Sequence, residues 1–320
     1  MSLFCYVLFN VLMVPIYVIG LGFYMVPILL ARGRVSGTAY EPFTGRLLYH
    51  LLGTRPDAAS LQLAPGLPAA NRGTLNLLVR PMAWVSRVTG FVPKAFLYPP
   101  LRPTSEGAMV GARCEFLDKA LRDHVAAGDQ VVILGAGWDT RAYGLLAGRD
   151  AALFEVDALA TQAVKRAAIE KTGLDALHVT FVTCDFNRQS WLDALETHGF
   201  DPQRCTFVLW EGVTMYLEEQ AIQSTLRAVA TLPPGSRIAF DFFTREWIDG
   251  VAGRMGQWAL VATYGESLAF GFSVLPDFEG RLGAYMAEQG LVLENCRPMG
   301  DEREGRVPYG GLAVEVTPEA

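Results

Sequence analysis

Apolar and polar positions divide the chain into three stretches of different character. From Leu3 to Ala31 there is no charged residue, and only Asn10 is plainly polar. A membrane-crossing helix needs about 20 mostly apolar residues, so this run is long enough to span. Residues 35–103 are instead broken repeatedly by Gly and Pro, with short helical patterns at 45–52 and 75–80. Trp84, Phe91, Phe96 and Tyr98 make the later part of that stretch aromatic, suiting either core positions or walls of a substrate pocket. From Thr104 onward, short runs rich in β-branched residues alternate with helical periods. Strands are predicted at 130–134, 153–157, 179–182, 206–209, 237–241, 291–295 and 312–316. Helices are predicted at 159–171, 191–197, 218–230 and 280–289. Such alternation predicts an α/β, doubly wound sheet. Residues 296–311 lack a helical pattern, so the last two strands are expected to form an antiparallel edge hairpin. The segment 247–275, with Trp258, Tyr264, Phe270 and Phe272, is expected to act as a lid or second pocket wall. The predicted organisation is therefore a membrane segment (1–34), a helical cap (35–103) and a cofactor domain (104–320).

The N-terminal run admits three placements: a single span, a hairpin dipping into one leaflet and turning at Pro15 or Gly20, or an apolar arm buried in an oligomer. Pro15, Gly20, Gly22 and Pro27 are better tolerated in membrane helices than in soluble ones. A secretory signal fits poorly, because no basic n-region precedes the run and the run is too long. Arg32 and Arg34 follow at once with no Lys or Arg before them, which favours the C-terminal side in the cytoplasm.

The chemistry is concentrated in Gly135-Ala-Gly-Trp-Asp-Thr-Arg141, directly after the first predicted strand. The pattern predicts a buried strand turning sharply into a helix, with Gly135 and Gly137 allowing a tight turn and close approach to a ligand. About 20 residues on, Phe154-Glu-Val-Asp157 places Glu155 and Asp157 at a second strand end, where an α/β nucleotide site holds a ribose. These features point to an adenosine-containing cofactor. A dinucleotide fingerprint would require a third glycine, where Thr140 stands, and Asp139 would repel a pyrophosphate. S-adenosyl-L-methionine carries no phosphate and tolerates an acidic loop.

Taken in order, these segments resemble the leucine carboxyl methyltransferase family, which includes O-methyltransferases of the tetracenomycin-pathway type. Further matches are Arg113 with Phe116-Leu-Asp118, Val182-Thr-Cys-Asp-Phe186 and Glu211-Gly-Val-Thr-Met-Tyr216. The resemblance covers roughly Thr104 to the C-terminus. It implies a Rossmann-like methyltransferase sheet with an antiparallel last strand, and S-adenosyl-L-methionine as cofactor. It also implies that Arg113 meets the methionyl carboxylate, Gly135 lines the cofactor backbone and Asp157 holds the ribose. Asp185 and Phe186 would bracket adenine, with Glu211 near the methionyl end. Gly137, Asp139 and Glu155 complete the expected cofactor set, and Tyr216 and Asp241 are the candidate catalytic residues. The plain physical alternatives are a solvated helix arginine for Arg113, a turn-capping role for Asp185, and core or capping roles for Tyr216 and Asp241.

Composition narrows the function further. The net charge of −6 argues against nucleic acid as a partner. Hydrophobic residues make up 51% and mean hydropathy is +0.23, apolar for a soluble enzyme. Cys5, Cys114, Cys184, Cys205 and Cys296 are scattered, with no CxxC pair, and His50, His124, His178 and His198 show no ligand spacing. No metal site is expected. An oligomer is compatible with the sequence. The expected activity is O-methylation of a carboxylate, or hydroxyl, on a lipophilic small molecule at the membrane. Two other outcomes are methylation of a protein C-terminus and a non-catalytic membrane adaptor that keeps the fold. A nicotinamide dehydrogenase would require a Tyr-x-x-x-Lys pair after the fourth strand, and none occurs there.

Overall fold

A computed structural model describes residues 3–101, 108–300 and 309–316. The domain boundary expected at 103/104 and much of the loop expected over 296–311 lie outside the described residues. Seven strands form one sheet in the order β3-β2-β1-β4-β5-β7-β6: β1 (Asp129–Leu134), β2 (Ala151–Asp157), β3 (Val179–Thr183), β4 (Thr206–Trp210), β5 (Arg237–Phe243), β6 (Val292–Met299) and β7 (Gly310–Val316). The first five pair in parallel, whereas β7 runs antiparallel to both β5 and β6. The hairpin expected from the patternless 296–311 stretch is thus formed.

Helices cover both faces, and so the strands read as continuous apolar runs. In chain order they are α1 (Leu3–Ala31), α2 (Tyr40–Leu52), α3 (Ala58–Leu63), α4 (Arg72–Thr74), α5 (Arg80–Thr89), α6 (Met109–His124), α7 (Leu159–Thr172), α8 (Trp191–Glu196), α9 (Glu219–Ala230), α10 (Arg245–Ile248), α11 (Val251–Tyr264) and α12 (Phe278–Glu288). A π-helical stretch, Leu75–Val79, joins α4 to α5. Side chains alternate between two cores with the strand period of two. Val131, Ile133 and Leu209 face a core shared with Phe43, Leu47 and Leu117. Val132, Leu134, Val208 and Trp210 face another, shared with Ile222, Leu226 and Phe240.

One expectation is corrected. The segment after β1 is not an α-helix but a single 3-10 turn at Arg141–Tyr143. Its polar side chains are tied down instead: the Arg141 N–H donates to Asp139 Oδ1 at 2.7 Å and Thr140 Oγ1 donates to Asp57 at 2.8 Å. Such local side-chain bonds compete with a helical ladder. Within 247–275, Phe270 and Phe272 pack with Phe240 and Trp258 is 75% exposed, while Leu260 lines a cavity at the strand ends.

The helix α1 is continuous, with Pro15 and Pro27 inside it, so of the three placements the hairpin turning at Pro15 or Gly20 is not formed. Its one polar residue is satisfied within the helix: Asn10 donates to the Tyr6 carbonyl at 2.8 Å and accepts from the Tyr17 hydroxyl at 2.9 Å.

Candidate active site

The sheet changes direction between β1 and β4, which pair side by side while β2 and β3 extend the other way. Ligands of open α/β sheets bind in the crevice at the carboxyl ends of the strands beside such a switch point. A cavity of about 360 Å³ lies there, within the range of roughly 300–1,000 Å³ usual for small-molecule sites. The ends of β1, β2 and β4 and the start of α2 contribute to its wall.

The turn after β1 is built by its glycines. Gly135 has φ +63° and Gly137 has φ +40°, the left-handed region that disfavours side chains. A Cβ on Gly135 would also lie 2.3 Å from Val213. The Gly137 N–H donates to Asp157 Oδ2 at 2.6 Å, and the Ala158 N–H donates to Asp157 Oδ1 at 2.7 Å. These bonds fix the Asp157 carboxylate at the end of β2 and leave lone pairs for a ligand's hydroxyls. Burial pushes its pKa up, against the lowering effect of the two backbone donors.

Arg113, on α6, reaches the opposite side of the cavity. Its Nε donates to Glu211 at 2.9 Å and its Nη1 to Asp241 at 3.0 Å, which occupies two of the five guanidinium donors. Burial pushes the Glu211 carboxyl up, but Arg141, Arg113 and Arg46 more than offset this and hold it well below the usual range. Burial likewise opposes Arg141 and Arg46 at Asp139, and the two cations prevail. The cluster continues to Asp118, which accepts from Arg55 Nε and Arg141 Nε, both at 2.7 Å, and from the Tyr98 hydroxyl at 2.9 Å. Arg55 also pairs with Asp57 at 2.8 Å. Four buried guanidinium groups (Arg46, Arg55, Arg113, Arg141) therefore face five carboxylates (Asp57, Asp118, Asp139, Glu211, Asp241), and the half-exposed Arg122 brings a fifth cation 3.8 Å from Asp118.

Of the residues expected from sequence, Arg113, Gly135, Gly137, Asp139, Asp157, Asp185, Phe186, Glu211 and Tyr216 line the cavity. Two do not. Glu155 lies beneath it, paired with Lys165 at 2.7 Å, its carboxyl raised by burial to about 7. Asp241 stands behind Arg113 and accepts the Gly212 N–H at 2.5 Å, a positioning arrangement rather than contact with a reacting atom. Asp139 lines the wall, yet both its oxygens are engaged, by Arg141 and Arg46. Asp185 accepts the Asn187 N–H at 3.1 Å and so also shapes its own turn. Burial raises the Tyr216 hydroxyl pKa beyond its ordinary value. Trp84, Phe91, Phe96 and Tyr98 are not among the lining residues.

Sequence reasoning missed Arg46. It lines the cavity from α2, 3.4 Å from both Asp139 and Glu211, and its buried Nε has no hydrogen-bond partner among the described residues. The available signal was an arginine set on the buried stripe between Phe43 and Leu47. Arg141 was read only as part of the loop motif, although it is buried and bridges Asp118, Asp139 and Glu211.

Residues 99–230 match the family model for leucine carboxyl methyltransferase. Relatives provisionally named S-adenosyl-L-methionine-dependent methyltransferases are also similar to part of this chain. One from Mycobacteroides abscessus is 32% identical over 167 residues, 50% of this chain and 54% of the relative. One from Streptomyces avermitilis is 34% identical over 167 residues, 52% of this chain and 56% of the relative. A third, from Frankia alni, is 34% identical over 143 residues, 44% and 50%. The chain thus spans about half the length of the curated relatives it matches. Over residues 99–230 the chain is thus similar to the leucine carboxyl methyltransferase family, and its relatives are named as S-adenosyl-L-methionine-dependent methyltransferases.

Proposed function

We propose that this protein is an S-adenosyl-L-methionine-dependent O-methyltransferase acting on a carboxylate, or a hydroxyl, of a lipophilic small molecule at the membrane, with its catalytic domain on the cytoplasmic side. The observation that carries this reading is the pair of fixed groups across the cavity. Asp157 is held by two backbone N–H groups on one side, and Arg113 has donors to spare on the other. A ribose wants the first and a methionyl carboxylate the second. Asp185 and Phe186 line the same cavity and suit an adenine amine and ring face. The orphaned Arg46 Nε suits an incoming carboxylate.

When bound, the cofactor supplies an activated methyl group for in-line displacement. The chain's residues must align the acceptor and keep water out, and alignment alone can lower the barrier by several kcal/mol, on the order of 7–11 for well-oriented reactions. None of the four histidines lines the cavity. Glu211 is held ionised by its arginines and Tyr216 is pushed towards its neutral form, so neither is poised to take a proton near neutral pH. An acceptor that arrives already ionised, a carboxylate, fits this lining best. Tyr216 is then placed to orient the acceptor.

The reading is tested by supplying labelled S-adenosylmethionine and a panel of lipophilic acids and phenols. A methyl ester released by mild base is the expected product. A base-stable methyl ether would move the assignment to a hydroxyl acceptor. Transfer to neither class, with cofactor bound, would favour the non-catalytic adaptor.

A further inference from the structure

We infer that α1 lies in the plane of an anionic membrane leaflet, beside α5 and α11, and does not cross the bilayer. The inference rests on the membrane part of the proposed function and is independent of the cofactor assignment. It says how the protein sits and which lipid chemistry it meets.

The first observation is that α1 is packed along one side for most of its length. Tyr6 meets Phe91 with ring centroids 4.9 Å apart, and Phe9 meets Trp84 at 5.9 Å. A Cβ on Gly20 would lie 2.6 Å from the Leu77 backbone, and one on Gly73 would lie 2.4 Å from the Phe23 ring. Asn71 donates to the Phe23 carbonyl at 3.2 Å. The segment from Asn71 to Phe91 thus runs antiparallel against α1, and whatever medium surrounds α1 also surrounds that segment.

Arginine positions then decide the orientation. Arg72, Arg80 and Arg87 are exposed on one stripe, with Asn76 and Trp84 between them. Arg80 falls between the Leu77–Gly20 and Trp84–Phe9 contacts, beside the middle of α1. An upright α1 would carry Arg80 to the centre of the hydrocarbon, at a penalty of about 2.5–3.5 kcal/mol even on insertion scales. Lying flat, all three arginines reach phosphate level together. A row of Arg and Trp flanking an apolar face is the pattern of interfacial helices.

The outward side of α1 supplies that face: Phe4, Val11, Leu12, Val18 and Leu30 are all exposed. A second apolar stripe adjoins its C-terminal end. Val251, Met255 and Trp258 are exposed at helical spacing on α11, and α11 is tied to the end of α1 by Arg32 donating to the Val261 carbonyl at 2.6 Å and the Gly33 N–H donating to the Tyr264 carbonyl at 3.1 Å. Charge selects the leaflet. Residues 1–105 hold nine Lys and Arg against two acids, Glu41 and Asp57, whereas the remainder holds eighteen against thirty-one. The cationic end is the one that carries the apolar surface. The cavity opens beside it, since Ser36 and Thr38 just beyond α1 and Leu260 of α11 line its wall. An amphiphilic acceptor would enter with its head group and keep its tail in the leaflet.

The test uses the full chain reconstituted into phosphatidylcholine vesicles with and without phosphatidylglycerol. A fluorophore is attached in turn at Phe4→Cys, Val18→Cys and Leu30→Cys on a background with Cys5 and Cys205 changed to Ser, and its depth is read with lipid-borne quenchers. Three similar, shallow depths are expected. A deep central label flanked by two shallow ones would show a span and overturn the inference, as would protection of all three from lipid, which would show an arm buried in an oligomer. The triple variant Arg72→Gln, Arg80→Gln, Arg87→Gln should lose about 100-fold in partitioning to anionic vesicles, at roughly a factor of five or more per cation near a charged surface. Its binding to neutral vesicles and to S-adenosylmethionine should be unchanged, which shows the variant to be folded. Equal partitioning of variant and parent into anionic vesicles would contradict the role given to these arginines.

Discussion

The cavity has two walls that solve the problem of holding charge in different ways. On the strand-end wall, Asp157 sits at the end of β2 and is fixed by two backbone N–H groups, so its position follows from the sheet and one glycine turn. On the wall formed with α2, Arg46 reaches Asp139 and Glu211 only at 3.4 Å and keeps an unpartnered Nε. The first is pre-organised by backbone, and the second is a side chain across an interface with geometry still to be tightened. Fixed donors and acceptors suit recognition of a constant cofactor. A loosely satisfied cation on a separate element suits adjustment to a ligand.

Arg113 joins the two walls, and its loss should have the largest effect. Arg113→Ala leaves Glu211 and Asp241 short of a buried partner, and is expected to cost about 3–5 kcal/mol in denaturant unfolding. S-adenosylmethionine binding should then fall below detection. Arg113→Lys keeps the charge but not the planar fork, so it should recover stability more than affinity.

Asp157→Asn separates binding from folding on the strand-end wall. It sets an NH2 donor against one of the two backbone N–H groups, so the melting temperature should fall modestly, by much less than in Arg113→Ala. Cofactor affinity should fall by about 10–100-fold, the range for losing a hydrogen bond to a charged group. A stability loss as large as that of Arg113→Ala would mean that Asp157 serves the fold.

Arg46→Met sharpens the contrast from the other side. Asp139 and Glu211 both keep Arg141, so the stability cost should be on the order of 1–2 kcal/mol. Calorimetry should show a smaller loss of cofactor affinity than Asp157→Asn gives.

The smallest effect concerns Glu155, below the cavity. Its folded pKa of about 7 lies above the unfolded value of about 4.3, so the folded state holds the extra proton between them. That contribution is fully present below the unfolded value and is lost as pH rises through 7. Denaturant midpoints should therefore drop from pH 6 to pH 8 in the parent, and Glu155→Gln should flatten that slope.

Much of this arrangement was legible in the sequence because strands buried on both faces leave continuous apolar runs. Thr206–Trp210 and Arg237–Phe243 were readable to within a residue or two, and the patternless stretch after β6 announced the hairpin. The glycine pair and the strand-end acid were readable for the same local reason. What escaped was set by distant partners. The expected helix after β1 was displaced by bonds to Asp57 and Asp118, remote in sequence. Glu155 and Asp157 are two residues apart on one strand, and only packing distinguishes the acid that meets Lys165 from the one that lines the cavity. Arg46 lies on a separate helix whose approach no local pattern encodes.

Calorimetric titration of S-adenosylmethionine into the parent protein and Asp157→Asn, with NAD as the control ligand, tests the central claim most directly. Micromolar binding to the parent, a weaker isotherm for the variant and no heat from NAD are predicted. Binding of NAD, or equal S-adenosylmethionine affinity in parent and variant, would contradict the account.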